Sequence, residues 1–548
     1  MQKPVKNNLD TVAGSVLSML GHAGVKTVFG LPGVHNLAFW QCEGEGIPKI
    51  VTVRHEQTTV YAADGAARAT GRLGVALTTT GPGAANAVGA FGEAAASGSP
   101  VLLIASEIST ALARRGVMRG VLHESPDQAA LFASLAKAVY RPRSATAAIA
   151  AVADAIEMAL SWPQGPVYVD IPTDVLHAMI EPMPVLSAQR RAPVPEAIER
   201  AASLIRRSRR IVVWAGGGVV QSGAEAELQE FAELIAAPVV TTFAANGVLS
   251  RDHPNSVGLP PHEPEIAQLI GDADLLIGVG TDFDGMNTRN WSMPRPELLI
   301  AINCDATDLS KNYPPTVAVH SDAKLALAML VALLDERDST LLEELADVRS
   351  STWARLRAEP ISAPGCSLVD AVGSAARIHD AVVVVDMAIA GYWVGGYGQF
   401  DRSRRLQYPV GWGTLGFALP ASIGAALVSG RPTLAICGDG GFMFAIGELA
   451  VLVQENLPIT ILLVDDGGYG MLRYEQRRVG DEERGVNLVR PDFVSLSSAF
   501  GITASTVDSV GEELEGALVK ALSSGQPQMV VVRASLMPPR TTSPRWNE

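Results

Sequence analysis

The sequence predicts an α/β protein of three domains, each a doubly wound parallel sheet with helices on both faces. The chain has 548 residues, which is too many for one hydrophobic core. Short runs of Val, Ile and Leu alternate along it with longer helical patterns, as parallel sheets and their crossover helices require. These runs lack polar alternation, which is typical of strands that are covered on both faces.

The first domain is predicted over residues 1–182. Five segments predict its strands: "KTVFGLP", "KIVTVRHE", "VALTTTGPG", "VLLIAS" and "PVYVDIP". A proline-rich, charged stretch from Glu181 to Ala197 predicts a linker to the next domain.

The second and third domains are predicted over residues 195–340 and 365–548. The second takes its strands from "RRIVVWAGGGVV", "PVVTTFAANG", "ADLLIGVGTD" and "ELLIAINCD". A second break is predicted near Arg355–Ser367, in "RLRAEPISAPGCS". The third domain follows with "AVVVVDM", "PTLAICGDGG", "PITILLVDDGG" and "QMVVVRAS".

Charge and cysteine content narrow the class of protein. Asp and Glu outnumber Lys and Arg by 57 to 43, so no nucleic-acid partner is expected. The N-terminus lacks the apolar run of a signal peptide, and we expect a cytoplasmic protein. The cysteines show no metal-ligand spacing and predict buried free thiols. They are Cys42, Cys304, Cys366 and Cys437.

One uncharged stretch, Leu406–Gly430, is long enough to span a bilayer. It contains Pro409, Pro420 and several glycines and has no basic flanking cluster. We therefore expect a buried segment and no association with a membrane.

Two acidic residues follow neighbouring strands of the third domain. Asp439 lies in "GDGG" and Asp466 in "DDGG", so we expect both at one edge of the sheet. Two carboxylates suit a hard cation such as Mg²⁺, and the glycines let backbone N–H groups approach a diphosphate. A tight turn with a capping aspartate is the alternative interpretation of "GDGG".

The run "GDGGFMFAIGELAVLVQENLPITILLVDDGGYGML" resembles the thiamine-diphosphate motif of the pyruvate decarboxylase, acetolactate synthase and benzoylformate decarboxylase superfamily. "FGLPG", "VRHEQTTVYAADGAARATGRLGVALTTTGPGAANAV" and "GPVYVDIP" resemble that superfamily's pyrimidine-binding domain. The resemblance covers nearly the whole chain. It implies a pyrimidine-binding domain, a central Rossmann-like domain and a diphosphate-binding domain, in that order.

The resemblance implies a metal site and a cofactor site. Mg²⁺ would be held by the side chains of Asp439 and Asp466 and by the carbonyl of Gly468. The carbonyl of Gly413 would accept a hydrogen bond from the 4′-amino group, and Leu415 would wedge the two cofactor rings into a V shape. The residues implied to bind thiamine diphosphate are Pro32, Glu56, Gly83, Asn86, Gly413, Leu415, Gly438, Asp439, Gly440, Gly441, Asp466, Gly468, Tyr469, Gly470 and Met471.

Glu56 resembles the glutamate that hydrogen-bonds the aminopyrimidine ring and thereby activates the thiazolium C2 position. The resemblance places it in the partner subunit's half of the site, which implies a homodimer at least, with a homotetramer as the expected assembly. The alternative for Glu56 is a surface acid at a strand end. Thiamine would supply the electron sink that no side chain offers, so that the reaction passes through a C2 carbanion or enamine.

Substrate contacts are less closely specified. His35 and His123 lie in segments that border the family's substrate pocket and could transfer protons, or could only hydrogen-bond backbone. His55 is expected to be structural. After the metal loop, Met471 and Leu472 would border the substrate in "YGMLRY", and Arg473 is either a contact for the substrate carboxylate or an exposed helix arginine.

Three departures from the family pattern limit the prediction. Asp466 stands where most relatives carry asparagine, which predicts a changed cation affinity. The loop Asp386–Gly391 lacks the polar side chains with which many relatives hold the diphosphate, so backbone groups would do so. The flavin-contacting loop of biosynthetic acetolactate synthases is not recognisable, and FAD is therefore not expected, while CoA or ADP binding stays open.

These features predict a flavin-independent, Mg²⁺-dependent 2-oxo acid decarboxylase or carboligase that resembles acetolactate synthase. A lyase of 2-hydroxyacyl compounds or acyloins is the main alternative. A dinucleotide-dependent oxidoreductase is disfavoured because no first-strand GxGxxG is present. An inactive regulatory homologue would have no need for Glu56. Which 2-oxo acid or acceptor is used does not follow from the sequence.

Overall fold

Three parallel sheets follow one another along the chain, and helices cover each of them. The computed structural model describes residues 8–114, 116–181, 183–184, 190–339 and 341–540, together with Thr542 and Arg545. Every pairing between the strands of these sheets is parallel. The predicted α/β class, with three parallel-sheet domains, is confirmed.

The first domain is a six-stranded sheet. Its strands are β1 Thr27–Gly30, β2 Lys49–Thr52, β3 Gly74–Thr78, β4 Val101–Glu107, β5 Ala138–Tyr140 and β6 Val167–Pro172. Its helices are α1 Val12–His22, α2 Glu56–Thr70, α3 Pro82–Asn86, α4 Val88–Ala96, α5 Ala145–Leu160 and α6 Thr173–Leu176, with 3₁₀ turns at Leu37–Gln41 and Ala129–Leu131. The strand order is β2-β1-β3-β4-β6-β5, so the direction of winding reverses between β1 and β3, where open α/β sheets bind ligands.

The middle domain is a five-stranded sheet. Its strands are β7 Ile211–Ala215, β8 Val239–Thr241, β9 Leu275–Val279, β10 Leu298–Asn303 and β11 Val317–His320. Its helices are α7 Pro195–Arg207, α8 Gly217–Ser222, α9 Glu225–Leu234, α10 Pro264–Gly271 and α11 Ala323–Val331, with a 3₁₀ turn at Phe243–Ala245, and α12 Leu341–Ala358 follows them. The strand order is β11-β10-β9-β7-β8, and the winding reverses between β7 and β9.

The third domain repeats this plan with six strands. They are β12 Val382–Val385, β13 Leu406–Gln407, β14 Thr433–Gly438, β15 Ile459–Asp465, β16 Thr503–Val507 and β17 Gln528–Arg533. The helices are α13 Ala363–His379, α14 Ile389–Tyr397, α15 Ala418–Ser429, α16 Asp439–Phe442, α17 Leu449–Gln454, α18 Gly470–Arg478, α19 Phe493–Ala499 and α20 Glu512–Leu522, with a 3₁₀ turn at Ile446–Glu448. The strand order is β13-β12-β14-β15-β17-β16.

The predicted second break near Arg355–Ser367 contains the turn between two packed helices. Helix α12 continues to Ala358, and α13 begins at Ala363 after a short turn. Leu341, Leu345 and Leu356 of α12 are buried in the same apolar core as α13, so the segment is packed structure rather than a spacer. The first predicted linker lies partly outside the described residues, because positions 182 and 185–189 are among those not described.

The first and third domains pack directly through α2 and α15. A Cβ at Gly65 would lie 2.1 Å from the carbonyl oxygen of Ala421, and a Cβ at Gly424 would lie 1.8 Å from that of Ala62. Only glycine allows backbones to approach this closely. The two helices therefore fix the domains against each other. The uncharged stretch is buried from Gly416 to Ala426, as predicted, whereas Gly411 and Trp412 of the same stretch are exposed.

Two further sequence expectations concern the membrane and the thiols. In the part of the chain that the structure describes, no helix is both long and apolar enough to cross a bilayer. All four cysteines are free. Cys42, Cys366 and Cys437 are buried as predicted. Cys304, which follows the last residue of β10, is only half-buried.

Candidate active site

A cleft opens at the carboxyl ends of the strands of the third sheet. Its cavity volume is about 140 Å³. The lining residues come from the segments after β12, β13, β14, β15 and β17, and they are Asp386, Met387, Ala388, Ile389, Ala390, Tyr392, Leu415, Gly438, Asp439, Gly440, Gly441, Val464, Asp466, Gly468, Tyr469, Gly470, Met471, Leu472, Ala534 and Leu536. The topology therefore brings together most of the cofactor residues that the sequence predicts in the third domain.

The two predicted metal-ligating carboxylates are neighbours in this cleft. Strands β14 and β15 pair in register, with Gly438 opposite Val464, so that Asp439 and Asp466 follow adjacent strands. Burial raises the pKa of Asp439 to about 6, and the negative charges of Asp466 and Asp465 add to that effect. Oδ1 of Asp439 is buried and has no hydrogen-bond partner among the described residues. An acceptor in this condition is costly unless a ligand satisfies it.

Glycines leave room beside these carboxylates. A Cβ at Gly440 would lie 2.7 Å from the ring of Tyr469, and one at Gly441 would lie 2.8 Å from Oδ2 of Asp386. Gly468 has a φ of 143°, which L side chains rarely adopt, and its Cβ would lie 2.1 Å from the carbonyl oxygen of Val486. A side chain at any of these three positions would displace a neighbouring group, so the turn requires glycine there.

The donor set fits a hard cation bound together with a diphosphate. Within the described ranges, no group of three or more His, Cys, Asp and Glu side chains gathers to hold a metal. The set in the cleft is instead two carboxylates beside the glycine-rich turn, where the carbonyl of Gly468 is the expected third protein ligand. Oxygen-only ligation with open positions is the chemistry that Mg²⁺ prefers when it also binds phosphate oxygens.

Asp386 is a functional candidate that the sequence did not single out. Its carboxylate is buried and accepts hydrogen bonds from three backbone N–H groups, those of Met387 (3.1 Å), Gly416 (3.0 Å) and Phe417 (3.2 Å). Burial raises its pKa to about 6, although these three donors oppose the rise. The signal in the sequence for this role is that Asp386 directly follows the buried strand β12.

Asp386 and Glu93 hold the loop that carries Leu415 from both sides. Oε2 of Glu93, a buried residue of α4, accepts from the backbone N–H of Trp412 (3.2 Å) and from the hydroxyl of Thr414 (3.3 Å). Asp386 holds the next residue after Leu415, Gly416. Leu415 is half-buried and faces the cleft between these two anchors.

Gly413 lies in the same loop, and its conformation requires glycine. Its φ is 80°, and a Cβ would meet only the methyl group of Met387 at 3.8 Å. The constraint is therefore the backbone conformation rather than crowding. Gly413 is not among the residues that line the cleft, and the hydrogen bond expected of its carbonyl stays a prediction.

We expect Asp386→Asn to impair turnover more than cofactor binding. The amide offers one acceptor oxygen and turns an N–H₂ group toward backbone N–H groups, so the Gly416 side or the Met387 side of the clamp is lost. Charged hydrogen bonds are worth about 1.5–3 kcal/mol, and a small displacement of a positioned group costs rate steeply. Steady-state kinetics should give kcat at least about tenfold lower, with Kd for thiamine diphosphate within about threefold.

Asp370→Asn is the matched control for this substitution, because Asp370 is exposed and pairs with Arg357 on the surface of α13. It should leave both constants unchanged. Equal losses of kcat and affinity in Asp386→Asn would show that Asp386 does not act through the Leu415 loop.

The first domain contributes a second group of predicted residues. Oε2 of Glu56 accepts a hydrogen bond from Nδ2 of Asn86 (3.0 Å), and a Cβ at Gly83 would lie 3.3 Å from Oε1 of Glu56. Pro32 is exposed in the loop after β1, the strand at which the winding reverses. These four residues do not line the cleft of their own chain.

The structure also places His35 and His123 together. Their rings are 5.4 Å apart between centroids and tilted by 52°. Burial lowers the pKa of His35, and the neighbouring His123 adds to the effect. Nδ1 of each ring is buried without a hydrogen-bond partner among the described residues, so neither histidine is a satisfied structural residue on that side.

The acids beside His123 are used elsewhere. Glu124 accepts from the backbone N–H groups of Arg119 and Val121, and Asp127 pairs with Arg141. His55 caps α2, accepting from the N–H of Gln57, which agrees with the structural role predicted for it.

Glu448 is a second residue that sequence reasoning missed. It lies in the 3₁₀ turn after α16, is buried, and accepts from the backbone N–H of Arg54 with both oxygens, at 3.1 and 3.2 Å. Burial raises its pKa to about 7. A carboxylate near the first turn of α2 is favoured by the helix dipole. It fixes the start of the helix whose first residue is Glu56, and no sequence pattern links the two positions.

Helix α18, which follows the turn that contains Asp466 and Gly468, departs from one expectation. Met471 is half-buried and Leu472 exposed, and both border the cleft as expected of substrate-facing residues. Arg473 is neither an exposed helix arginine nor free to contact a substrate, because its side chain is only 14% exposed and Nη2 pairs with Oδ1 of Asp466 at 3.0 Å. The sequence did not predict this pair because Asp466 lies in the turn after β15 and Arg473 in α18, so no regular helical spacing links them.

Three doubly wound sheets, with an acidic, glycine-lined cleft at the strand ends of the third, are typical of enzymes built around a diphosphate-bearing cofactor. Comparison with known families makes the assignment specific. The N-terminal TPP-binding domain of thiamine pyrophosphate enzymes matches residues 10–131, the central domain matches 198–330, and the C-terminal TPP-binding domain matches 386–532. The chain belongs to the thiamine pyrophosphate enzyme family.

Curated relatives are similar over nearly the full length. A probable 2-ketoarginine decarboxylase of Pseudomonas aeruginosa is 35% identical over 507 residues, covering 90% of this chain and 88% of the relative. A probable acetolactate synthase large subunit of Methanocaldococcus jannaschii is 30% identical over 542 residues, covering 94% and 91%. An acetolactate synthase large subunit of Mycobacterium tuberculosis is 31% identical over 520 residues, covering 90% and 82%.

Proposed function

We propose that the protein is a thiamine-diphosphate- and Mg²⁺-dependent decarboxylase of a 2-oxo acid. The observation that carries the proposal is the cleft of the third domain, where the buried, partnerless Oδ1 of Asp439 lies beside Asp466 in a glycine-lined turn. The family match supports thiamine diphosphate as the group that occupies this cleft.

Each part of the site has a role in this proposal. When bound, thiamine diphosphate supplies the electron sink for the negative charge left by decarboxylation. Asp439, Asp466 and the carbonyl of Gly468 would hold the cation, and the N–H groups of Gly440 and Gly441 would be donors for the diphosphate. Leu415 would support the cofactor rings, and Glu56 would exchange a proton with the pyrimidine ring.

We propose that each site is shared by two subunits. Glu56, Asn86 and the histidine pair are not among the residues that line the cleft of their own chain, which supports a second copy as their source. Exposed apolar side chains flank both halves of the site: Val34 is 73% exposed, Leu122 68% and Trp412 52%. Apolar side chains so placed are typical of a subunit interface. A homodimer is the minimum assembly, and a homotetramer remains the expectation.

Apolar side chains line part of the cleft, and we place the substrate beside them. They are Met471, Leu472, Ala534 and Leu536. Because one relative is named a probable 2-ketoarginine decarboxylase, a 2-oxo acid with a cationic side chain is the first substrate to test. The histidine pair would deliver or remove protons at the acyl carbon.

We expect no FAD in the middle domain. At the place where its strand order reverses, the turns after β7 and β9 pack on each other: the N–H of Gly218 donates to the carbonyl of Gly280 at 2.9 Å, and a Cβ at Gly216 would lie 2.2 Å from the same oxygen. A dinucleotide needs that crevice open. CoA or ADP elsewhere in this domain is a separate question for the binding assay below.

Carboligation is the second candidate function, because two of the relatives are named acetolactate synthases. The two reactions would use the same residues. They would differ in whether a proton or a second carbonyl compound is added at the acyl carbon. Cleavage of a 2-hydroxyacyl compound or an acyloin would use the same site in the reverse direction. Product analysis separates these three outcomes.

Thermal unfolding followed by product analysis tests the proposal. Thiamine diphosphate with Mg²⁺ should raise the melting temperature, because a ligand that binds only the folded state stabilises it in proportion to ln(1 + [L]/Kd). Either component alone should do less, and FAD or NAD should have no effect. CoA and ADP are added in separate runs, where a shift in melting temperature would indicate a site in the middle domain. Release of CO₂ would then be measured with 2-ketoarginine, pyruvate, benzoylformate and branched-chain 2-oxo acids.

The products distinguish the candidate reactions. An aldehyde in equal amount to CO₂ supports the decarboxylase, a 2-hydroxy-2-acyl acid supports the carboligase, and aldehydes formed from acyloins support the lyase. Absence of any stabilisation by thiamine diphosphate with Mg²⁺ would overturn the proposal for all three.

A further inference from the structure

The loop that carries the second metal-ligating carboxylate is rich in acids. Asp465 ends β15, Asp466 follows it, and Asp439 follows the neighbouring strand β14, close enough for the three charges to repel one another. A bound diphosphate would bring further negative charge to the same place. Like charges this close destabilise one another unless they are compensated.

Arg473 contacts Asp466 at two points. Nη2 donates to Oδ1 and to the backbone carbonyl of Asp466, both at 3.0 Å, and Nη1 donates to Oδ1 of Asn487 at 3.1 Å. The side chain is largely buried, at 14% exposure, and Asp466 is 15% exposed. A charged pair with this little solvent is far stronger than a surface pair.

The contact with Asn487 connects the pair to the turn of residues 466–470, which we call the metal turn. Gly468 and Asn487 form an isolated antiparallel bridge, the N–H of Tyr469 donates to the carbonyl of Val486 at 2.9 Å, and that of Leu488 donates to Gly467 at 3.1 Å. Arg473 therefore joins α18, the metal turn and the segment 486–488. Removing the guanidinium takes away the positive charge at the Asp466 carboxylate and leaves its orientation to the backbone N–H of Gly468 and the neighbouring Asp439.

We propose that Arg473 is a positioning and charge-compensating residue for Asp466, the partner that lets a carboxylate serve at this metal position. This inference rests on the proposed function, since it assigns Arg473 to the same cation site. The neighbouring acid has an analogous partner: Asp465 pairs with Arg490 at 2.7 Å. A neutral amide at 466 would need no such cation, and the role of Arg473 is therefore conditional on the acid.

A double-mutant cycle tests that condition. The variants are Arg473→Gln, Asp466→Asn and the double variant, and the readout is Kd for thiamine diphosphate at saturating Mg²⁺, by calorimetry. Arg473→Gln alone should raise Kd about tenfold or more, as loss of a buried charged partner predicts. In the Asp466→Asn background the same substitution should change Kd by less than about threefold.

Two further variants define what the arginine supplies. Arg473→Lys keeps the charge without the two-pronged geometry and should recover part of the affinity. Arg477→Gln is the matched control, because Arg477 lies one turn further along α18 with its side chain 64% exposed and pairs with Glu483. It should leave Kd unchanged in both backgrounds.

Equal effects of Arg473→Gln in both backgrounds, or no effect in either, would overturn the inference. The same four proteins are also unfolded with denaturant in the absence of metal, where the pair should again show coupling. Thiamine diphosphate that fails to bind even the wild-type protein would refute the proposed function. Absence of coupling in metal-free unfolding would then refute the role of Arg473 separately.

Discussion

Replacing Glu56 with glutamine is expected to lower kcat at least about a hundredfold while Kd for thiamine diphosphate stays within about threefold, because general acid–base groups contribute about 10²–10⁴ in rate. Glutamine keeps the shape and the hydrogen bond from Asn86 but cannot share a proton with the pyrimidine ring. In the proposed site another domain would hold the diphosphate and the cation, and we expect these to supply most of the binding. Steady-state kinetics and calorimetry measure the two constants.

Glu45→Gln is a suitable control, since Glu45 is an exposed acid of the same domain. Exchange of the C2 proton of the bound cofactor for deuterium gives a second readout that does not depend on the substrate. It should slow in Glu56→Gln by a factor similar to that for kcat. A variant with wild-type exchange and turnover would remove Glu56 from the mechanism.

A mixture of two inactive variants tests whether the site is shared. In a hybrid dimer of Glu56→Gln and Asp439→Asn subunits, one site contains both substitutions and the other contains neither. Co-unfolding and refolding the two inactive proteins together should therefore recover activity, at up to about half of the sites in each hybrid. Recovery would not occur if Glu56 served the cleft of its own chain.

The sequence predicted every interior strand of the three sheets, and these are mostly buried, but only two of the six edge strands, β2 and β8. Strands β14 and β15 are continuous apolar runs in the middle of a sheet, and their ends predicted Asp439 and Asp466 correctly as neighbours. The strands that the sequence did not predict are β5, β11, β13 and β16, and each lies at the edge of its sheet. Edge strands are covered on fewer sides, so the apolar signal weakens, as the mostly exposed residues of β16 illustrate.

The residues of the site also divide into those that the sequence predicts and those that it does not. Residues that act through their own local turn, such as Asp439 and the glycines after it, are predictable because sequence neighbours form the structure. Asp386, Glu448 and Arg473 act on backbone or side chains that other segments supply. Glu448 lies 394 residues from Arg54, whose N–H it binds, and only the packing of the third domain on the first brings them together. Partners of this kind require the tertiary structure.

Asp439→Asn is expected to abolish cofactor binding and at the same time to stabilise the metal-free protein. The substitution removes the charge that the cation needs, so Kd for thiamine diphosphate at fixed Mg²⁺ should rise at least about a hundredfold, more than the 10–100-fold typical of residues that only support a metal ligand. The thermal stabilisation by thiamine diphosphate with Mg²⁺ should disappear. Both effects are measured on the same purified protein.

The gain in stability follows from the pKa of the wild-type carboxyl. Burial and the nearby acids raise the pKa of Asp439 to about 6 from its usual value of 3.8. Between these values the folded protein binds more protons at Asp439 than the unfolded protein, so its stability falls as pH rises through that window. Asparagine does not titrate, and the metal-free variant should exceed the wild type by about 1–3 kcal/mol at pH 7.

The pH dependence separates this cause from a general change in packing. Unfolding with denaturant in the presence of a chelator should give nearly equal free energies for the two proteins near pH 4, and the difference should open as the pH rises toward 7. Saturating Mg²⁺ with thiamine diphosphate should reverse the order, because only the wild type gains the ligand's stabilisation. A metal-free variant less stable than the wild type at pH 7 would mean that the Asp439 carboxylate is satisfied within the protein. In the proposed site, the carboxylate whose Oδ1 lacks a partner among the described residues and lowers the stability of the metal-free fold is the group that would bind the cation.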